Sequence, residues 1–109
     1  MHSQHKKLAD GGWGQLTLLE QLGNVGSEVG RAVKWQDKDA ENFKAASYRA
    51  LELLDLTLAD VRWRKRLKEI SRARELLCAV FTGGESYKTT LADLERYFMQ
   101  FALAARLRK

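Results

Sequence analysis

Leu22–Trp35 reads LGNVGSEVGRAVKW, and the spacing within it decides the fold. Together with Leu19, the residues Leu22, Val29 and Val33 recur at the three- and four-residue steps that line one face of a helix. Gly23, Gly26 and Gly30 interrupt that helix, and each interior glycine costs it roughly 1 kcal/mol relative to alanine. At about 100° per residue the three fall together along one edge of the apolar stripe. Glycines that share a face leave backbone bare for the close approach of a second helix or of a ligand. Close helix packing at Gly23, Gly26 and Gly30 is therefore expected.

Outward from this stretch, the helical pattern begins near Trp13 and ends near Gln36. Gln36–Asp39 is a polar turn in which Asp37 or Asp39 can cap a second helix running to about Ala59. The inward stripe of that helix, Phe43, Ala46, Ala50, Leu54, Thr57 and Leu58, is narrow, and its small members suit a close approach to the glycines. Asp60 caps a third helix from Val61 to about Thr82, with Trp63, Leu67, Ile70, Leu77 and Phe81 inward and Gly83-Gly84 as its stop. Ser86, Thr89 or Thr90 starts a fourth, Thr90 and Asp93 having capping-box spacing, and it continues to about Leu107. Proline is absent, no strand-like alternation occurs and no segment repeats. The expected fold is all-α, an antiparallel up-down four-helix bundle over residues 13–109, preceded by a flexible tail over residues 1–12.

With 109 residues, 45% apolar and 30% charged, the chain reads as one globular domain rather than a disordered one. The lone Cys78 has no partner for an internal disulfide, which fits a reducing compartment, and beside an apolar face it reads as a small buried hydrophobe. There is no secretory pattern and no apolar run of bilayer length, so a cytoplasmic protein without a membrane partner is expected. His2 and His5 are the only histidines. No helix thus carries the Glu-x-x-His pair of a di-iron bundle, and serine or cysteine nucleophiles lack their base. GNVGSEVG follows no strand and is not a dinucleotide loop. No catalytic residue, cofactor or metal is expected.

Charge is unevenly placed: residues 1–61 hold 7 basic and 9 acidic side chains, residues 62–109 hold 12 and 5. The densest run is Arg62, Arg64, Lys65, Arg66, Lys68, Arg72 and Arg74. On one continuous helix Lys65, Lys68 and Arg72 share the outer face, where they can neutralise phosphates or meet an acidic protein partner. No aromatic residue on that face is placed to stack bases. Arg74 falls inside the apolar stripe of the third helix, where an unpaired guanidinium is costly. Its candidate partners are Glu20, Glu52 and Asp55. Arg66 lies at the other edge of the stripe, which makes an anion site in a cleft near Arg66 and Arg74 a second expectation.

The fourth helix is apolar on two sides. Leu94, Phe98, Phe101 and Ala105 form a core stripe, while Met99, Leu103 and Leu107 follow at four-residue steps on roughly the other side. Such a face is expected to be covered by a second copy, giving a homodimer, with Trp13 or Trp35 as further anchors.

The segments LELLDLTLADVRWRKRLKEISRARELL (51–77) and YFMQFALAARLR (97–108) resemble a family of small prokaryotic proteins. That resemblance covers about residues 13–108 and implies a four-helix bundle without an assigned activity. More distantly, the architecture is similar to the nucleotide-binding (HEPN-like) bundles that accompany minimal nucleotidyltransferases. Members of that group often pair, and some are ribonucleases using an arginine followed a few residues later by histidine. Arg62–Arg74 and Arg96–Arg108 have no histidine after them, so the resemblance does not extend to that activity. The functional expectation is a non-catalytic, self-associating interaction module; the alternative is a nucleic-acid- or nucleotide-binding bundle acting through residues 62–74.

Overall fold

The structure, a computed structural model, describes residues 12–83 and 90–108. The expected tail, apart from Gly12, lies outside the described residues, as do His2, His5, Ser86 and Thr89. Four α-helices pack together: α1 (Leu18–Trp35), α2 (Ala40–Leu58), α3 (Leu67–Phe81) and α4 (Leu91–Leu107). No strand occurs among the described residues.

Three helices start where a side chain captures free backbone N–H groups. Thr17 and Glu20 form a capping box at α1, the Glu20 N–H donating to Thr17 Oγ1 and the Thr17 N–H to Glu20 Oε1. Asp39 accepts from the N–H groups of Glu41 and Asn42 at α2. Thr90 and Asp93 form the capping box of α4. At the end of α3 the chain turns through Gly83, whose φ of +76° is a left-handed conformation that favours glycine.

Two expected helices are shorter than their sequence pattern. Trp13–Gln15 is a separate 3-10 turn, and Leu16 is extended, so the first helix starts at Leu18 rather than Trp13. Val61–Arg66 is likewise a 3-10 segment, with Trp63 at φ −102°, ψ 22°. A 3-10 turn advances three residues per turn rather than 3.6, so the wheel drawn through Val61–Thr82 shifts at this junction. Leu67, expected inward, is 37% exposed, and Ala73 joins Ile70 and Leu77 in the core.

Helix α1 is central. Its most extensive contacts are with α4 and α2, while α3 rests on α2 and touches α4 only slightly. Val25, Gln21, Glu28 and Ala32 are buried along α1, and Ala46, Ala50, Leu53 and Leu54 are buried along α2. The glycines face the other neighbour. A Cβ added at Gly23 would lie 2.9 Å from Ala102 Cα, one at Gly26 would lie 3.0 Å from Phe98 Cβ, and one at Gly30 would lie 2.9 Å from Glu95 Oε2. The close partner of the glycine edge is thus α4, not the small residues of α2.

Candidate functional site

The densest polar constellation lies where the Trp13–Gln15 turn, the start of α1 and the Val61–Arg66 segment meet. Gln21 is fully buried. Its Nε2 donates to the Trp13 carbonyl at 2.9 Å and to Asp60 Oδ2 at 3.1 Å, while its Oε1 accepts from Trp63 Nε1 at 2.9 Å. Arg62 Nη2 donates to Asp60 Oδ2 at 2.6 Å and to the Leu16 carbonyl at 2.7 Å, and its guanidinium lies 4.4 Å from the Trp63 ring centroid. These bonds hold Asp60–Trp63 in its tight turn and account for the interruption of the expected third helix.

The hydrogen bond from Arg62 holds the Asp60 carboxyl at about 2, below its ordinary 3.8; burial acts in the opposite sense, and Gln21 adds a further lowering. A carboxyl depressed in the folded state stabilises fully above its unfolded value and loses that contribution as pH falls through the folded one. Between about pH 4 and pH 2 the native protein is therefore expected to lose about 1 kcal/mol more than Asp60→Asn does, a difference that thermal melts across this range measure.

Trp63 forms one wall of a cleft of about 480 Å³ between the start of α1, the 3-10 segment and the end of α4. Leu18, Leu19, Phe101 and Ala105 line it with Trp63; Thr17, Glu20, Arg66 and Arg108 supply the polar rim. Arg74 is not part of it. Arg74 Nε donates to Asp55 Oδ1 at 2.7 Å in a partly exposed pair, so the guanidinium expected inside the stripe reaches outward to α2. Arg66 donates from Nε and Nη2 to the Glu69 carboxylate. The expectation of a cleft near both Arg66 and Arg74 is corrected in its second member: Arg74 pairs with Asp55 and does not line this cleft, whereas Arg66 does.

The remaining cations of residues 62–74 are exposed. Arg64, Lys65, Lys68 and Arg72 have no carboxylate partner among the described residues. Lys68 and Arg72 share a shallow surface with Glu69 and Glu75, which dilutes its positive charge. Lys65 lies in the 3-10 segment, so the single helical face that joined it to Lys68 and Arg72 is not continuous.

On α4, Met99, Leu103 and Leu107 are 37%, 53% and 77% exposed, whereas Leu91, Leu94 and Phe98 are buried. Phe101, placed in the core stripe by its spacing, is half-buried in the wall of the cleft. Trp13 is 3% exposed and belongs to the core, so its reading as an interface anchor is corrected; its indole N–H has no hydrogen-bond partner among the described residues. Trp35 is half-buried at the end of α1, with Lys34 Nζ 5.0 Å from its ring centroid. Because Gly30 meets Glu95 and Gly23 meets Ala102, Trp35 lies at the Glu95 end of the α1–α4 pair. At about 1.5 Å per residue, Leu107 is roughly 18 Å from that end and Met99 roughly 6 Å, so only the Met99 end of the exposed stripe lies toward Trp35.

Sequence reasoning passed over three buried polar residues, Ser47 on α2 and Gln21 and Glu28, seven apart on α1. Glu28 is 4% exposed and pairs with Arg49 of α2 and Arg31, each at 3.1 Å. The Thr17-x-x-Glu20 pattern was a legible signal for the start of α1. Among the described residues no group of three His, Cys, Asp or Glu side chains is arranged to hold a metal, and no helix is long and apolar enough to cross a membrane. No protein-family model, curated protein or solved structure matches the chain.

Proposed function

We propose that the protein is a non-catalytic helical-bundle interaction module that forms a homodimer through α4. The carrying observation is a ridge beside a groove on the same helix pair. The ridge is Met99, Leu103 and Leu107. The groove, about 260 Å³, runs between α1 and α4 over the small residues Gly23, Ala102 and Ala105, with Glu20 and Arg106 at its edges. A two-fold interface places the same patch on both copies, so a ridge adjoining a groove is self-complementary. Covering apolar surface is worth about 25 cal/mol per Å², of which association costs consume much, so ridge and groove must both be buried.

The four helices follow an antiparallel up-down order; supporting it, contacts from Gly23 to Gly26 to Gly30 step backward along α4 from Ala102 to Phe98 to Glu95. The protein works in the cytoplasm, for which the unpaired Cys78 is the supporting feature. Light scattering at high micromolar concentration is expected to give a dimer mass, and Leu103→Lys a monomer with unchanged helicity. A monomeric native protein would overturn self-association and leave the ridge for another protein, an acidic one included.

A second reading, nucleic-acid binding through residues 62–74, is favoured by the unpaired, exposed Arg64, Lys65, Lys68 and Arg72. If they meet phosphates, affinity falls with salt by roughly 0.7–0.9 log units per log salt for each contact. The triple variant Lys65→Gln, Lys68→Gln, Arg72→Gln is then expected to flatten the slope by about 2 to 3 units. No binding of RNA or DNA at low salt by the folded protein removes this reading.

A further inference from the structure

We propose that the cleft beside Trp63 is a binding site for a small organic anion with a flat ring. Its volume, about 480 Å³, lies within the range of small-ligand pockets, and its lining combines two aromatic rings, aliphatic walls and two guanidinium groups. Trp63 is fixed before any ligand arrives. Its indole N–H is held by the fully buried Gln21, and its ring is backed by Arg62, which is tied to Asp60 and to the Leu16 carbonyl and does not line the cleft. A wall held this way loses little freedom on binding, so stacking against it is retained as affinity.

The rim carries as many carboxylates as guanidinium groups, Glu20 and Glu69 against Arg66 and Arg108, so an anion is favoured by guanidinium hydrogen bonding rather than by net charge. Arg66 shares its guanidinium with Glu69 at 3.1 Å, and Arg108 has no ion-pair partner among the described residues. The one carboxylate in the lining, Glu20, is turned into the capping box, where its Oε1 accepts the Thr17 N–H at 2.9 Å. An anionic group is therefore placed toward Arg66 and Arg108, with the ring between Trp63 and Phe101. Planar guanidinium groups favour carboxylate and phosphate oxygens, which they bind in pairs of parallel bonds. None of Met99, Leu103 and Leu107 lines this site, while Glu20 and Ala105 line both it and the groove of the proposed dimer.

The test titrates 2-naphthoate into the full-length, isotope-labelled protein and follows the Trp63 indole N–H resonance. The neutral 2-naphthalenemethanol and inorganic phosphate serve as the two partial probes. Saturable perturbation of Trp63 is expected, with 2-naphthoate at least about tenfold tighter than either partial probe. The double variant Arg66→Gln, Arg108→Gln is expected to lose about tenfold for 2-naphthoate and little for the alcohol. Both arginines are exposed, and Arg108→Gln alone, just past the end of α4, keeps the measurement independent of folding. Equal affinity for acid and alcohol, phosphate binding as tightly as naphthoate, an unchanged affinity in the arginine variants, or perturbation that spares Trp63 would each overturn the proposal.

Discussion

Gly23→Ala is expected to lower stability by about 1–3 kcal/mol, although alanine by itself favours a helix by about 1 kcal/mol over glycine. The added Cβ would lie 2.9 Å from Ala102 Cα and 3.2 Å from its backbone nitrogen, atoms that move only if α4 moves. Gly26→Leu is expected to lose more, since its Cβ would already meet Phe98 Cβ at 3.0 Å and the rest of leucine has no room between the helices. Gly30→Ala is the internal control. Its Cβ meets only Glu95 Oε2 closely, the end of a flexible side chain, so the change should be neutral or stabilise by up to about 1 kcal/mol. Denaturation midpoints decide it, 1 kcal/mol being about 4–8 °C in Tm for a domain of roughly 100 residues. Gly23→Ala and Gly30→Ala shifting in the same direction by the same amount would show that propensity, not contact with α4, governs the edge.

Gln21→Leu is expected to destabilise by about 1–3 kcal/mol despite placing a hydrophobic side chain in a core position. It leaves the Trp63 indole N–H without its partner, while the Trp13 carbonyl keeps the Leu16 N–H at 3.1 Å, and an unmet buried polar group costs about 1–3 kcal/mol. Asp60 keeps its bonds to Arg62, so the loss should be confined to the two tryptophan-bearing turns. Urea denaturation gives the magnitude, and a red shift of tryptophan emission before global unfolding gives the location. A variant as stable as the native protein would mean that the polar junction is replaceable by simple packing.

Helix number is legible in local signals that act over one turn: apolar spacing, Asp37 or Asp39 and Ser86, Thr89 or Thr90 as caps, and Gly83-Gly84 as a stop. The glycine edge was visible for the same reason, as periodicity alone puts Gly23, Gly26 and Gly30 together. Which helix meets that edge was not visible, because the choice between Ala46 and Ala102 depends on packing across residues far apart in sequence. The shortened α3 is the same kind of failure. A wheel assumes 100° per residue throughout, and the bond between Trp63 and Gln21, 42 positions apart, breaks that assumption locally. Leu67 and Lys65 were consequently assigned to faces that they do not share with the residues after them. The enrichment of tryptophan at interfaces does not tell a core position, which Trp13 occupies, from an exposed one. Arg74 was legible in part: its pairing need followed from the stripe, and Asp55 was among three candidates, but only geometry selects one.

The seam between α1 and α4 has a consequence for the order of assembly. It joins Gly23 to Ala102 and Gly30 to Glu95, so the broadest helix contact links the two most distant parts of the described chain. Bringing such distant segments together carries the larger loop-closure entropy, whereas α1 meets α2 after a turn of only a few residues. Until α4 arrives, α1 holds three glycines with nothing against them and is a weak helix on its own. In a chain elongating from its N-terminus, the helix at the centre of the finished bundle is thus written early and secured last, when α4 closes over its bare edge.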